Sequence, residues 1–201
     1  MLTGFVVTAA VVFSAALVGC GGSRKFERKA QRLESDNPDV RRESALEMGK
    51  TYVSNDARRA ELIQRLSVMA QSDDDPLVRS AALTALCEQD RRAAVDLAVR
   101  MRADTHPMVR WDAVKVMAAY GDAATIPALI EVAEKDDDER VRREAVKALA
   151  KYNEPRVVDA LLGRLTDRSI SVAHAARDSL RQIAGGVDLG MDVEAWRKWL
   201  R

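Results

Sequence analysis

The hydrophobic residues of this chain recur with the spacing of amphipathic helices along most of its length. In one segment they occupy positions i, i+4, i+5 and i+8, which share one face of a helix. These residues are Val109, Ala113, Val114 and Met117. Four more segments repeat the pattern from Val40, Val78, Val141 and Val172, so that successive valines lie 38, 31, 32 and 31 residues apart. The pattern therefore predicts five copies of one helical unit.

A second set of amphipathic helices is predicted between the valine segments. Its apolar stripes are Leu62/Ile63/Leu66, Leu97/Ala98/Met101, Ile126/Leu129/Ile130/Ala133 and Val158/Leu161/Leu162/Leu165. Three of the valine helices open with a proline that follows polar residues, at Pro38, Pro76 and Pro107. Proline in a first turn loses no hydrogen bond, and a polar residue before it caps free N–H groups. Each unit is thus predicted to be a helical hairpin.

Charged residues recur with the same period. An aspartate stands five residues before the valine in four units, at Asp73, Asp104, Asp136 and Asp167. An arginine follows the valine in four units, at Arg41, Arg79, Arg110 and Arg142. One pair per layer predicts a structural ladder, in which each arginine bonds the aspartate or helix ends of its own or a neighbouring unit. The fifth unit departs from the pattern, with Ala173 in place of the arginine and Arg177 at an otherwise apolar position.

With these features the chain resembles the HEAT-repeat family in its short form, which is also labelled HEAT-like or PBS-lyase-like. The resemblance covers residues 24–184 and rests on the Asp-(x)4-Val-Arg signature and on segments such as Ile126-Pro127-Ala128-Leu129. It implies an all-α, right-handed α-solenoid of about five helical hairpins, with the Val-Arg helices on the concave side. Residues 185–201 are predicted to form a loop and a C-terminal capping helix, on which Trp196 and Trp199 serve as a lid.

The N-terminal segment carries an uncharged apolar run over residues 5–19. As a helix this run would reach only ~23 Å, which is short of a ~30 Å hydrocarbon core. The end of this run and the residue after it, Leu17-Val18-Gly19-Cys20, resemble the lipobox of bacterial lipoproteins. That resemblance implies a signal peptide over residues 1–19, a lipid on Cys20, and a short linker over residues 20–23.

The lipobox implies export from the cytoplasm, but the order of charges near the apolar run favours a cytoplasmic location for the rest of the chain. Met1-Leu2-Thr3 supplies no basic residue, whereas Arg24, Lys25, Arg28 and Lys29 follow the run closely. By the positive-inside rule this order keeps the downstream part in the cytoplasm. Two locations therefore stay open: the cell envelope, on a periplasmic or outer membrane face through lipidated Cys20, or the cytoplasm with or without an uncleaved anchor.

The overall charge argues against one class of partner. The chain has 32 basic and 31 acidic residues and a net charge of +1, so a nucleic acid finds no general attraction. The basic residues between Arg24 and Arg32 have two interpretations, as a face that contacts anionic lipid head groups or as a solvated helix face.

Residues with catalytic or metal-binding chemistry are few. The candidates are His106, His174 and Cys87, which we interpret as capping, surface and packing residues. The acidic runs at 73–75 and 136–138 lack the glycine and distant glutamate of a calcium loop, so they are predicted helix caps. We therefore predict no enzymatic activity, no cofactor, no metal and no small-molecule substrate. Bilin lyases share this architecture, and a module that assists or regulates an enzyme is the alternative.

A partner is predicted to bind on the concave face. The second position after each valine should point outward there, and the residues at that position are Arg42, Ser80, Trp111, Arg143 and His174. Asp112, Lys115 and Lys147 lie at neighbouring outward positions. Tryptophan and arginine are frequent anchors of protein interfaces. Two interpretations of Trp111 remain: a contact for a protein or peptide partner, or a residue that packs under Arg143 and stiffens the stack.

Overall fold

The computed structural model describes residues 22–200. Over these residues the chain forms eleven α-helices and two short 3-10 turns, at Arg32–Glu34 and Ala123–Thr125, with no strand. The helices are α1 (Gly22–Gln31), α2 (Pro38–Gly49), α3 (Asp56–Ser72), α4 (Pro76–Gln89), α5 (Arg91–Met101), α6 (Pro107–Tyr120), α7 (Ile126–Lys135), α8 (Glu139–Leu149), α9 (Pro155–Arg164), α10 (Ile170–Ile183) and α11 (Val193–Trp199).

The N-terminal predictions fall mostly outside this range. Cys20 and the predicted signal peptide are not among the described residues. Helix α1 begins at Gly22, within the linker predicted over residues 20–23. None of the helices between residues 22 and 200 is long and apolar enough to cross a membrane.

Ten of the described helices form five consecutive pairs, which confirms the predicted α-solenoid. The pairs are α1–α2, α3–α4, α5–α6, α7–α8 and α9–α10, and they stack in chain order. The second helices of neighbouring pairs pack closely along their lengths, whereas the first helices contact each other less. A stack whose layers approach more closely on one side curves toward that side. The second helices α2, α4, α6, α8 and α10 therefore line the concave face.

Small residues allow this close packing. The fourth position after each repeat valine is small and fully buried in all five units, at Ser44, Ala82, Ala113, Ala145 and Ala176. Ser44 satisfies its hydroxyl by donating to the Lys29 carbonyl at 2.9 Å. Helix α2 approaches α4 most closely at Gly49, where a Cβ atom would lie only 2.7 Å from the Cα of Ala85. The valine stripes and the first-helix stripes together form one continuous core.

The last unit ends the stack differently from the predicted two-tryptophan lid. Trp196 of α11 is fully buried, and its indole N–H donates to the Gly190 carbonyl at 2.9 Å. Trp199 is 47% exposed, because it lies away from the buried side of this short helix. Arg177, which takes the place of an apolar residue, forms an ion pair with Asp188 in the loop before α11. The lid therefore consists of Trp196 and this ion pair, and the prediction for Trp199 was wrong.

Candidate functional site

The predicted aspartates and arginines lie along one edge of the solenoid and join successive units. Each arginine donates two hydrogen bonds, from Nε and Nη2, to the aspartate of the following unit. The pairs are Arg41–Asp73, Arg79–Asp104, Arg110–Asp136 and Arg142–Asp167, with donor–acceptor distances of 2.7–3.2 Å. The third guanidinium nitrogen of each arginine donates to backbone carbonyls in the turn between the two helices of its own unit. We call this edge the ladder edge.

The aspartates of the ladder edge also hold the turns in place. Each carboxylate accepts a backbone N–H from two residues further on, for example Asp104 from His106 at 2.8 Å. Burial acts to raise the pKa of Asp104, but the hydrogen bonds from Arg79 and His106 outweigh it, so this pKa lies below its ordinary value. Asp167 behaves in the same way beside Arg142. Asp104 and Asp167 are therefore ionised structural links between units.

The opposite edge of the solenoid carries contacts that sequence reasoning missed. The Gln89 carboxamide, buried at the end of α4, donates to three carbonyls around the end of α2, those of Met48, Gly49 and Thr51. Lys151 donates from the end of α8 to the Ala118 carbonyl on α6 at 2.7 Å. Because these side chains differ from unit to unit, they leave no repeated sequence signal.

A pocket of ≈ 310 Å³ opens on the concave face between α6 and α8. Its apolar walls are Pro107, Met108, Trp111 and Val141, and its polar rim consists of His106, Asp112, Asp138, Arg140 and Arg143. Three predicted concave-face residues, Trp111, Asp112 and Arg143, thus come together here. Sequence reasoning missed Met108 and Arg140, which precede the repeat valines of their helices by one position. We call this site the central pocket.

Trp111 is half-buried and packs its ring against the core. The Lys115 ammonium lies over the ring, 4.2 Å from its centroid, one helical turn further along α6. The second interpretation of Trp111 places it under Arg143, and the cation that lies over its ring in the structure is Lys115. Met108, at the mouth of the pocket, is 42% exposed. The pocket therefore offers an accessible apolar wall.

Both carboxylates of the central pocket already have partners. Asp112 accepts a hydrogen bond from the Ser80 hydroxyl on α4 and lies 3.6 Å from Lys115. Asp138 caps α8 by accepting from the backbone N–H of Arg140, and it also pairs with the Arg140 guanidinium at 3.0 Å. The Arg140 hydrogen bond lowers the pKa of Asp138 to about 2 against the opposing effect of burial. Both carboxylates are therefore already engaged by groups of the chain itself.

Arg143 differs from the other arginines of the second helices. Its Nε atom is buried and has no hydrogen-bond partner among the described residues. The ladder arginines, in contrast, each bond an aspartate and backbone carbonyls, and Arg42 pairs with Asp39 on its own helix at 3.0 Å. A guanidinium presents five N–H donors in a fixed plane. The buried Nε is shielded from a ligand, but no hydrogen bond or ion pair engages the Arg143 Nη atoms within residues 22–200, so these atoms leave capacity for a ligand acceptor.

The remaining predicted concave-face residues lie outside the central pocket. Arg42 and Ser80 are engaged by Asp39 and Asp112, as described above. Lys147 is exposed on α8 one turn beyond Arg143, and His174 is exposed on α10. The predicted groove surface thus continues on both sides of the pocket.

Cys87 and His106, which were candidates for catalytic or metal-binding roles, have structural environments. Burial raises the pKa of the half-buried Cys87 thiol, so the thiol form dominates at neutral pH. The Nδ1 atom of His106 accepts the Met108 backbone N–H at 3.3 Å and so caps α6. No cluster of histidine, cysteine and carboxylate side chains suited to a metal ion is found within the part of the chain that the structure describes.

Comparison with known families gives a match over most of the described fold. A family model described as HEAT repeats matches residues 59–139 and residues 95–181, which together span well over half of the chain. No curated protein sequence matches the chain.

Several solved structures have the same fold at low sequence identity. The Escherichia coli protein YibA aligns with a TM-score of 0.67 at 20% identity, over 82% of this chain and 63% of that one. Human deoxyhypusine hydroxylase, solved with glycerol, aligns with a TM-score of 0.54 at 18% identity, over 81% and 75% of the two chains. A designed armadillo repeat protein in complex with a (KR)4 peptide has a TM-score of 0.55 at 18% identity, over 88% and 86%.

Proposed function

Since the chain belongs to the HEAT-repeat family, we propose that it is a lipid-anchored, non-enzymatic scaffold that binds a protein or peptide partner in its concave groove at the bacterial cell envelope. The central pocket is the observation that carries the binding part of this proposal. It joins an accessible methionine and a tryptophan to an arginine with unused donors, and these residue types are frequent in the cores of protein interfaces.

The surroundings of the pocket support an extended partner. Second helices lie on both sides of α6 and α8, so a bound segment has exposed surface on either side of the pocket. The structure with a TM-score of 0.55 is a designed protein that binds a peptide, which is an example of this use of the fold. The proposed partner contacts the groove through side chains that enter the pocket.

The binding proposal is tested by blocking the pocket without disturbing the core. Met108→Glu places a charge at the mouth of the pocket, and since Met108 is 42% exposed the fold should tolerate it. Met191→Glu is the matched control, because Met191 is 38% exposed in the loop before α11. We expect Met108→Glu, but not Met191→Glu, to lose partners that co-purify with the wild-type chain, at equal thermal stability. Retention of every partner by Met108→Glu contradicts the proposal.

The anchoring proposal is tested by the intact mass and membrane partition of the native protein and of Cys20→Ser. A chain that starts at Cys20 and carries acyl mass, both lost in the variant, supports the lipid anchor. Retention of Met1 without added lipid contradicts it and favours the alternative, a cytoplasmic module that assists or regulates an enzyme. The basic residues directly after the apolar run are the feature that favours this alternative.

A further inference from the structure

We propose that the central pocket recognises an acidic–apolar peptide segment, in which a leucine-like or aromatic side chain enters the apolar part while a neighbouring Asp or Glu carboxylate binds Arg143. This inference rests on the proposed groove-binding function and specifies the chemistry of the partner. It starts from an imbalance between the donors and acceptors of the pocket.

The charges of the pocket leave one cation without a counterpart. Asp112 is held by Ser80 and Lys115, and Asp138 is held by Arg140 and by the first turn of α8. Arg143 lies beside them with a buried Nε that bonds neither carboxylate nor any other described group. The Nη atoms of Arg143 are not among the buried unpartnered donors and form no ion pair within residues 22–200, and a carboxylate is the acceptor that fits a guanidinium in a two-bond geometry. A partner that brings its own carboxylate therefore completes the site.

The neighbouring basic residue strengthens the preference for an acid. Lys147 lies one turn beyond Arg143 on α8, is exposed, and forms no ion pair or hydrogen bond among those found in the described residues. The groove side of α8 thus presents Arg143 and Lys147 at i and i+4, and no ion pair within residues 22–200 joins either of them to a carboxylate, including that of Glu144 next to Arg143. A basic segment placed here meets repulsion, whereas an acidic segment meets attraction.

The apolar side of the pocket defines the second requirement. Pro107, Met108, Trp111 and Val141 enclose a space of ≈ 310 Å³, which is at the small end for a ligand site and suits an inserted side chain. Methionine adapts its shape to different apolar groups, so the pocket can accept either an aliphatic or an aromatic residue. Because the groove continues past both ends of the pocket, there is room for partner residues on either side of the inserted side chain.

The proposal is tested with four fluorescein-labelled, C-terminally amidated peptides on the same serine–glycine background. The first carries Leu and Glu, the second Leu and Gln, the third Ser and Glu, and the fourth Leu and Lys. Amidation removes the terminal carboxylate, so that any response to acid comes from the side chain. Fluorescence polarisation with the unlipidated domain measures each affinity.

We expect the Leu/Glu peptide to bind about tenfold more tightly than the Leu/Gln peptide, which is the size of one charge-assisted hydrogen-bonded contact. Loss of the leucine should weaken binding further, and the Leu/Lys peptide should bind most weakly. Arg143→Gln should make the Leu/Glu and Leu/Gln peptides equal. The control Arg91→Gln, at an exposed arginine of the first-helix layer, should preserve the difference. Thermal melts of both variants verify folding.

Equal affinity of the Leu/Glu and Leu/Gln peptides for the wild-type domain overturns the proposal, and so does a preference for the Leu/Lys peptide. In both cases the groove still binds a peptide, so the proposed function survives. Absence of binding to all four peptides also overturns the acidic–apolar proposal. Whether the groove binds a protein at all is then decided separately by the co-purification of Met108→Glu and Met191→Glu.

Discussion

Two arginines that are adjacent in sequence, Arg142 and Arg143, have different environments in this solenoid. Arg142 on α8 bonds Asp167 of the next unit and carbonyls of its own unit, and its side chain is 3% exposed. Arg143 points to the groove side, where its Nε lacks a partner among residues 22–200. Neighbouring positions on a helix diverge by about 100° in direction, which is why Arg142 holds the stack together while Arg143 lies at the central pocket.

The ladder makes a testable contribution to stability at Arg110. Its partner Asp136 has a side chain that is 4% exposed, so Arg110→Ala leaves a buried carboxylate without its cation. Loss of one member of a buried pair costs about 3 kcal/mol, and we expect the free energy of unfolding in urea to fall by about that amount. Arg156→Ala, which removes an exposed pair with Glu154, should cost less than about 1 kcal/mol.

The double variant Arg110→Ala/Asp136→Asn separates charge burial from other effects. It removes the uncompensated charge but keeps an oxygen that accepts the Asp138 backbone N–H. It should therefore be more stable than Arg110→Ala alone. A double variant that is less stable than the single one means that the cost arises from lost packing and not from the buried charge.

The stability of the protein should also depend on pH through Asp138. Its pKa is about 2 in the folded protein, whereas an unfolded aspartate has a pKa near ~3.9. The charged form therefore adds stability above about pH 4, and this contribution is lost as the pH falls through about 2. Asp138→Asn keeps an N-cap but cannot titrate, so its free energy of unfolding should fall less steeply with acid than that of the wild type. Parallel acid profiles for the two proteins contradict this assignment.

At the scale of single residues, repetition determined what the sequence could predict. Asp73 and Arg79 recur at a fixed offset from the valines, so a ladder followed from the sequence, and the structure supplies its connectivity from each arginine to the next unit. The positions of Gln89 and Met108 carry other residue types in the other units. Their roles depend on which helix lies opposite, and a single unit of sequence does not contain that information.

The helices themselves place different demands on their glycines. A methyl carbon on Gly49 of α2 would lie 2.7 Å from the Cα of Ala85, whereas one on Gly163 of α9 would have no neighbour within 4 Å. Both residues have helical backbone, so the difference arises from the approach of α2 to α4. The hydrophobic pattern and the helix propensity of glycine therefore predict the same effect of substitution at both positions.

Alanine substitution at these glycines should therefore have opposite effects. Gly163→Ala should gain about 0.5–1 kcal/mol from the better helix propensity of alanine. Gly49→Ala has the same propensity gain, but it forces α2 away from α4 and should lose about 1–3 kcal/mol in total. Chemical denaturation of both variants measures the difference. A stabilising Gly49→Ala contradicts the close helix approach.

The capping helix shows where pattern reasoning reached its limit for whole elements. The spacing of Trp196 and Trp199 predicted one shared buried face, but α11 contacts mainly α9 and is only 7 residues long. A helix of this length buries one side chain deeply, and here that is Trp196. The existence of the cap followed from the sequence, whereas the choice between its tryptophans depended on the angle at which α11 crosses the stack.

Residues 22–200 form a stack in which each unit packs mainly against its neighbours. The sequence predicted the repeat period, the number of hairpins and the two helical layers, because the spacing of apolar and charged residues is similar in every unit. It did not predict the central pocket, because the pocket depends on the pairing of an aromatic surface on α6 with a basic surface on α8. Function in such a stack is thus carried by the positions at which the units differ.

Stability in a stack of this kind is close to a sum of unit and interface terms. Arg79 joins the second unit to the third by bonding Asp104, and the Ser80–Asp112 hydrogen bond spans the same interface. Weakening this interface should let the smaller side of the stack, from α1 to α4, open without the rest. We therefore expect Arg79→Ala to increase amide hydrogen exchange in α2 and α4 strongly.

The other side of the stack serves as the internal reference. Helices α8 and α10 lie beyond the weakened interface and keep their own ladder pair, Arg142–Asp167, so their exchange rates should stay near those of the wild type. The reciprocal variant Arg142→Ala should shift the increase to α10 and α11. A uniform increase along the chain in both variants means that the five units unfold as one cooperative body, because the coupling between all neighbours then exceeds the energy of any single ladder pair.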